Sequence, residues 1–236
     1  IYIMTNVKKT IINSPGEDFS KPAVIIANHS SFLDILLLVM MHPKLILLTN
    51  KWVWNSPVFG LAVRMAEYYP VAEGAENTIP QLSTKIAEGY SIVIFPEGTR
   101  SVDGRIGRFH KGAFYLAEHL KVDLLPIVIH GAAHTMIKGF FYLKNGHLTL
   151  NILPRIHPGD RTFGMTYQER SKQVRRYFIQ QLNELGKQTE TPFYFKGHVF
   201  SNFIYKGPVL EWYMKIKVKL ENNYQQFVNL IPEKGN

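Results

Sequence analysis

The 236-residue chain contains no cysteine. Disulfides, a thiol nucleophile and thiolate metal ligands are therefore excluded, and nothing points to an oxidising compartment. Long apolar runs are absent too. The longest, Ile35 to Leu48, is broken by His42-Pro43-Lys44 and is too short to span a bilayer. No secretory leader opens the sequence. The nine histidines show no ligand spacing such as His-Glu-x-x-His, so no metal is expected. Internal repeats, low-complexity tracts, zinc-finger spacing and ribonucleoprotein-type aromatic motifs are all missing. Acidic residues are in short supply: 18 Asp and Glu stand against 27 Lys and Arg, a formal charge of +9. Such an excess favours an anionic partner, whether membrane headgroups, phosphorylated substrates or nucleic acid.

What remains has the composition of a folded globular chain, 46% apolar and 19% charged. It is long enough for one α/β domain with an extension. Val24 to Asn28, Lys44 to Thr49, Tyr68 to Val71, Ser91 to Phe95, Leu124 to His130 and His147 to Leu153 read as strands. Between them Ser31 to Met41, Pro57 to Ala66, Asn77 to Glu88, Lys111 to His119 and Thr166 to Leu185 read as helices, the last ended by Gly186. Residues 1–22 read as a polar approach with a turn at Pro15-Gly16. The alternation of Leu148, Leu150 and Ile152 marks a half-exposed, antiparallel strand. The expected fold is α/β, a mostly parallel mixed sheet flanked by helices over residues 1–190, with a C-terminal helical extension.

In that extension, residues 191–236, an aromatic linker (Phe193-Tyr194-Phe195) precedes an amphipathic helix with Val209, Tyr213, Ile216 and Leu220 at three- and four-residue spacing. Docking on protein is its expected use, with a membrane surface as the alternative. The chain opens on Ile1 rather than Met, which reads as a piece of a longer product with a further domain beyond residue 236.

Two segments carry chemistry. In Asn28-His29-Ser30-Ser31-Phe32-Leu33-Asp34 a buried strand turns directly into a helix. Sites in α/β sheets form at such carboxyl ends of strands. An imidazole with a carboxylate five residues on can act as a base and its orienter. Residues five apart in one helix differ by about 140° around the axis. The pair therefore meets only if His29 lies in the turn and Asp34 in the first helical turn. Ser31-x-x-Asp34 also fits a capping box, which needs no catalysis. The second segment, Phe95-Pro96-Glu97-Gly98-Thr99-Arg100-Ser101, leaves a buried strand at a sharp turn. Gly98 permits close backbone approach, and Arg100 suits bidentate phosphate contact. Arg105, Arg108, His110 and Lys111 follow. In isolation, Glu97 and Arg100 pairing with each other explains the segment equally well. Because the cations gather here rather than along one helix, nucleic acid is not the expected partner.

Together and in this order, the two segments closely resemble the glycerolipid acyltransferases, whose best-known members are the 1-acylglycerol-3-phosphate acyltransferases. Arg108-Phe109-His110-Lys111-Gly112-Ala113 is similar to the family's basic-glycine segment, and Leu124-Leu125-Pro126-Ile127-Val128-Ile129 to its proline-containing motif. Lys51 and Pro57-Val58-Phe59-Gly60 also sit where the family often has Lys and Pro-x-x-Gly. The resemblance implies acyl transfer from acyl-CoA or acyl carrier protein to a lysophospholipid hydroxyl. It implies His29 and Asp34 as the catalytic pair and Glu97, Gly98, Thr99, Arg100 and Lys111 in substrate binding. Transfer would be direct, without an acyl-enzyme, a metal or a bound cofactor, and Ser30 and Ser31 read as helix caps. A peripheral protein at the cytoplasmic face of a membrane is expected, with any anchor in segments outside this sequence. One departure stands out. The family's second motif usually carries an Arg just after a short strand. Glu67-Tyr68-Tyr69-Pro70-Val71-Ala72-Glu73-Gly74 has none, and Arg64 lies too early. That questions lysophosphatidate as acceptor more than it questions acyl transfer, and leaves another lipid or aromatic-lipid hydroxyl open. A thioester hydrolase using the same pair on water and a catalytically silent lipid-binding module are the rival readings.

Overall fold

A run of five small and β-branched residues, Ala-Val-Ile-Ile-Ala, forms a strand buried on both faces, and the sheet is built outward from it. The structure is a computed structural model and describes residues 7–49, 69–70, 75–136 and 144–191, with residues 194, 209, 212 and 216. Among these, the strands are β1 (Val7–Ile12), β2 (Ala23–Ala27), β3 (Leu45–Thr49), β4 (Tyr69–Pro70), β5 (Ser91–Ile94), β6 (Asp123–His130) and β7 (Gly146–Ile152). The helices are α1 (Phe32–Val39), α2 (Ala75–Ala87), α3 (Gly112–Leu120), α4 (Ala132–Thr135) and α5 (Tyr167–Thr189). One sheet has the order β1-β7-β6-β2-β5-β3-β4. β6, β2, β5, β3 and β4 are mutually parallel; β7 runs antiparallel to β6, as its alternation predicts, and β1 pairs parallel with β7.

The period-two alternation of β2 divides the core. Ala23, Ile25 and Ala27 pack with Leu33, Leu37 and Leu38 of α1. Val24 and Ile26 face the opposite layer, where Leu82 of α2, Phe114 of α3 and Phe178 of α5 are fully buried. Phe109 sets its ring edge-on to Phe178 at 5.2 Å, an aromatic contact worth about 1 kcal/mol beyond its area. Thus α1 packs against one face, with Ala132 of α4 in the same cluster, and its amino end sits at the carboxyl end of β2.

Several boundaries differ from expectation. Residues 7–12 form a strand rather than an irregular approach. It is an edge strand with Lys8 and Thr10 exposed, so its apolar signal is weak and its stability comes from pairing with β7. α2 begins at Ala75 and carries Pro80 inside it. α5 runs through Gly186 to Thr189, because Glu190 N–H donates to Gly186 O and the Glu190 carboxylate meets Nε2 of buried His130 at 2.9 Å. The helix expected over Pro57 to Ala66, Lys51, Pro57–Gly60 and most of 67–74 lie outside the described residues. So does most of the C-terminal extension, of which Val209, Trp212 and Ile216 are helical and exposed. Among the described residues, no helix is long and apolar enough to cross a membrane.

Two polar devices close the sheet at its ends. At the carboxyl end, Asn28 takes up the ladder where β2 stops. Its amide donates to Ile129 O at 2.9 Å, and its carbonyl accepts from Ile129 N–H at 2.8 Å. At the amino end of β6, buried Asp123 accepts from Lys21 Nζ at 2.9 Å and His157 Nδ1 at 2.7 Å. Arg155 forks onto Glu17 at 2.7 and 2.8 Å. Burial alone would push the Asp123 carboxyl up, but the Lys21 and His157 bonds outweigh it and hold the group below its ordinary range.

Asn28→Ala leaves two buried backbone groups of Ile129 without partners and is expected to cost on the order of 2 kcal/mol or more in urea unfolding. Asp123→Asn is expected to lower the melting temperature at neutral pH. A depressed carboxylate pKa contributes stability above the unfolded value and loses it as pH falls through the folded one. The gap between wild type and Asp123→Asn should therefore narrow as pH falls below about 4, as followed by melting curves across pH.

Candidate active site

Parallel pairing brings the two sequence segments side by side. Val24 pairs with Ile92, Ile25 with Val93 and Ile26 with Ile94, a constant offset. Continued three residues past the Ile26–Ile94 pair, the same offset sets His29 beside Glu97. The His29 N–H accordingly donates to Glu97 Oε1 at 2.8 Å.

The His29 imidazole meets Asp34 as the sequence requires, with His29 in the turn and Asp34 at the third position of α1. Nδ1 lies 3.1 Å from Asp34 Oδ2. The same oxygen accepts the backbone N–H of Ser30 at 2.6 Å and of Ser31 at 2.7 Å, while Oδ1 is buried without a hydrogen-bond partner. Ser31 is the N-cap, with its hydroxyl accepting from Leu33 N–H at 3.3 Å and donating to Met136 O at 2.9 Å. Asp34 is fully buried and 12% of the His29 side chain is exposed, so the ring opens outward while its carboxylate is sealed beneath. An ionised carboxylate only accepts, so Nδ1 carries the proton and Nε2 keeps its lone pair. Phe95 stacks on the imidazole with centroids 4.0 Å apart and planes 19° from parallel.

Glu97, expected to touch substrate, has both oxygens engaged with backbone. Oε1 holds His29 N–H, and Oε2 accepts from Gly107 N–H at 2.7 Å. Burial pushes its carboxyl above the ordinary range despite these two bonds. Gly98 has φ +68°, a left-handed conformation that favours glycine, and the His110 ring lies beside it. Ser101 N–H donates to His29 O and His110 N–H to Pro96 O, each at 2.7 Å. The segment from Pro96 to His110 is thus strapped across the His29 turn. On its outer side Gly98, Thr99, Arg105, Arg108, His110 and Lys111 are exposed and Arg100 is half-buried. Lys111 stands at the N-cap of α3 without a side-chain cap bond. Among the described residues, no group of three or more His, Asp or Glu could hold a metal ion.

Sequence reasoning gave no role to the amide of Asn28, the ring of Phe95 or the backbone N–H of Gly107. The first two lie inside the motifs and were open to notice; a glycine whose contribution is its main chain carries no side-chain signal.

Relatives include a chloroplastic 1-acyl-sn-glycerol-3-phosphate acyltransferase of Arabidopsis thaliana, 32% identical over 165 residues, covering 68% of this chain and 46% of the relative. A chloroplastic 1-acyl-sn-glycerol-3-phosphate acyltransferase of Brassica napus is 34% identical over 54% of this chain and 38% of its own length. The chain thus spans about half or less of the length of these curated relatives. The crystal structure of the 1-acyl-sn-glycerophosphate acyltransferase PlsC of Thermotoga maritima shares the fold, with a TM-score of 0.64 at 23% identity over 76% of this chain and 72% of that one. The family model described as Acyltransferase matches residues 3–130, more than half of the sequence, and the chain belongs to that family.

Proposed function

We propose that the chain moves a fatty acyl group from an acyl thioester, acyl-CoA or acyl carrier protein, to the hydroxyl of a lysophospholipid such as 1-acylglycerol-3-phosphate. The observation that carries this reading is the 3.1 Å contact of His29 Nδ1 with Asp34 Oδ2, in a family member, with Nε2 left to act as base. Nε2 takes the hydroxyl proton as the oxygen attacks the thioester carbonyl, and Asp34 stabilises the imidazolium that forms. The C–S bond then breaks, the proton passes from the imidazolium to the departing sulfur, and an ester and a free thiol leave. Direct transfer is supported by the lack of cysteine and by Ser31, whose hydroxyl is taken up by Met136 O and Leu33 N–H.

On the rim, Arg100, Arg105, Arg108 and Lys111 supply cations for the phosphates of donor or acceptor, with the Thr99 hydroxyl beside them as a neutral hydrogen-bonding group. The acceptor named for the relatives favours lysophosphatidate. The lack of arginine between Glu67 and Gly74 favours the second reading, in which another lipid or aromatic-lipid hydroxyl takes the acyl group. In either case the chain acts peripherally at the cytoplasmic face of a membrane, where its net positive charge meets anionic headgroups.

Long-chain acyl-CoA and a panel of lysolipids, followed by mass spectrometry of the products, test the proposal. Wild type is expected to form diacyl product only when acceptor is present. His29→Ala is expected to reduce turnover by about 10²-fold or more, and Asp34→Asn, which favours the wrong tautomer, by a comparable factor. Robust transfer by His29→Ala removes His29 as base, and undiminished fatty-acid release without acceptor makes the chain a hydrolase.

A further inference from the structure

We infer that Arg175, on α5, is a positioning residue for the His29 turn. It lies outside both motif segments and beyond the family-matched residues 3–130. The inference rests on the general-base reading of His29.

The contact chain is short and complete. Arg175 Nε donates to Gly107 O at 2.6 Å, and its Nη2 donates to Ile106 O at 2.9 Å. The N–H of that same Gly107 donates to Glu97 Oε2 at 2.7 Å. The other oxygen of Glu97 accepts from His29 N–H at 2.8 Å. One guanidinium, one glycine peptide and one carboxylate therefore connect α5 to the backbone of the proposed base. The strap that Arg175 grips also carries Ser101, whose N–H holds His29 O. Both polar backbone groups of His29 are thus bonded to the segment from Pro96 to His110.

Residue types along the chain fit the task. The planar fork of an arginine spans two successive carbonyls, which a lysine ammonium does not reproduce. A Cβ on Gly107 would come within 3.0 Å of Glu97 Oε2, so glycine lets the carboxylate approach the peptide. The platform is rigid: Val174 and Phe178, on either side of Arg175 along α5, are fully buried, and Phe178 holds Phe109 of the strap edge-on. Buried side chains thus fix the helix, and the guanidinium sets the strap's position against it. Freed from that grip, Gly107 no longer fixes Glu97, and the turn bearing the imidazole loses a restraint. In a reaction that needs the imidazole in one place, a misplacement of about 1 Å costs on the order of 100-fold.

The test uses the whole chain with Arg175→Ala, Arg175→Lys and, as control, Arg176→Ala, an exposed neighbour whose guanidinium reaches Gln173 at 3.4 Å. Two quantities are read: steady-state acyl transfer from acyl-CoA to lysophosphatidate, and amide hydrogen exchange by mass spectrometry in peptides covering 28–33 and 101–109. Arg175→Ala is expected to lower kcat by about 10- to 100-fold with a smaller change in KM, and to speed exchange in both peptides while β2 stays protected. Arg175→Lys is expected to recover part of both, and Arg176→Ala to match wild type. Combined with His29→Ala, Arg175→Ala should add nothing to the loss in turnover. Wild-type kcat in Arg175→Ala, or unchanged exchange at the His29 turn, overturns the inference. Should Arg175→Ala not fold, wild-type kcat and exchange in Arg175→Lys do the same. A wild-type protein that transfers no acyl group to any acceptor of the lysolipid panel sinks the proposed function instead, and the exchange result still decides whether Arg175 positions the turn.

Discussion

A single oxygen atom, Asp34 Oδ2, holds the structure's two purposes together. It accepts the backbone N–H of Ser30 and Ser31 at the start of α1, and it faces His29 Nδ1. Helix capping and orientation of the imidazole are therefore one constraint. Were Asp34 only the N3 partner of the Ser31 capping box, a glutamate or a neutral glutamine would serve as well. Were it only an orienter, it would not need the first turn of a helix. Placed there, the carboxylate gains the favourable end of the helix dipole and three donors, which together hold a buried charge that would otherwise be costly. The rest of the fold serves this corner. β2 must be buried on both faces to set the turn's starting point, and α1 must pack Leu33, Leu37 and Leu38 on the sheet to fix its exit.

The second constraint is register. Two parallel strands keep a constant residue offset, so residues the same distance past a shared register pair arrive together. β2 and β5 carry His29 and Glu97 to adjacent points in this way. A one-residue slip would turn alternate side chains to the opposite face and separate the pair. β2 is apolar on both faces, so polar contacts at its two ends pin the register: Ala23 N–H donates to Ser91 Oγ, and the Asn28 amide bonds both backbone groups of Ile129.

Legibility in the sequence followed the range of each interaction. His29 and Asp34 were readable because their meeting depends only on a strand-to-helix corner and a first-turn position. The parallel sheet was readable from apolar runs in β2, β5 and β6, whose strands are buried on both sides. β1 was not, because an edge strand showing Lys8 and Thr10 to solvent has no apolar run to announce it. Gly186 looked like a helix end, and only the long-range contact between His130 and Glu190 explains why α5 passes through it. Glu97 was noticed, yet its partners are backbone N–H groups of His29 and Gly107, and a main-chain donor has no residue type to read. Arg175 was invisible for the same reason: it binds carbonyls 68 and 69 positions away.

Electrostatics give the corner a direction. Two carboxylates approach His29, Asp34 through the ring and Glu97 through the backbone; burial pushes the Glu97 carboxyl upward, and the Asp34 charge adds a smaller push. A positive charge on the imidazole acts the opposite way on Glu97 and relieves the pair. In the proposed reaction that charge appears as the acceptor's proton moves to Nε2. The Asp34 carboxylate, already in place beside Nδ1, stabilises the developing imidazolium without having to move. Burial is what gives the effect weight: with Asp34 sealed and Glu97 nearly so, little water intervenes to screen either group. The same sealing explains why the carboxylates need so many backbone donors, and why a strap gripping His29 from both its N–H and its C=O belongs to the catalytic corner as much as to the fold.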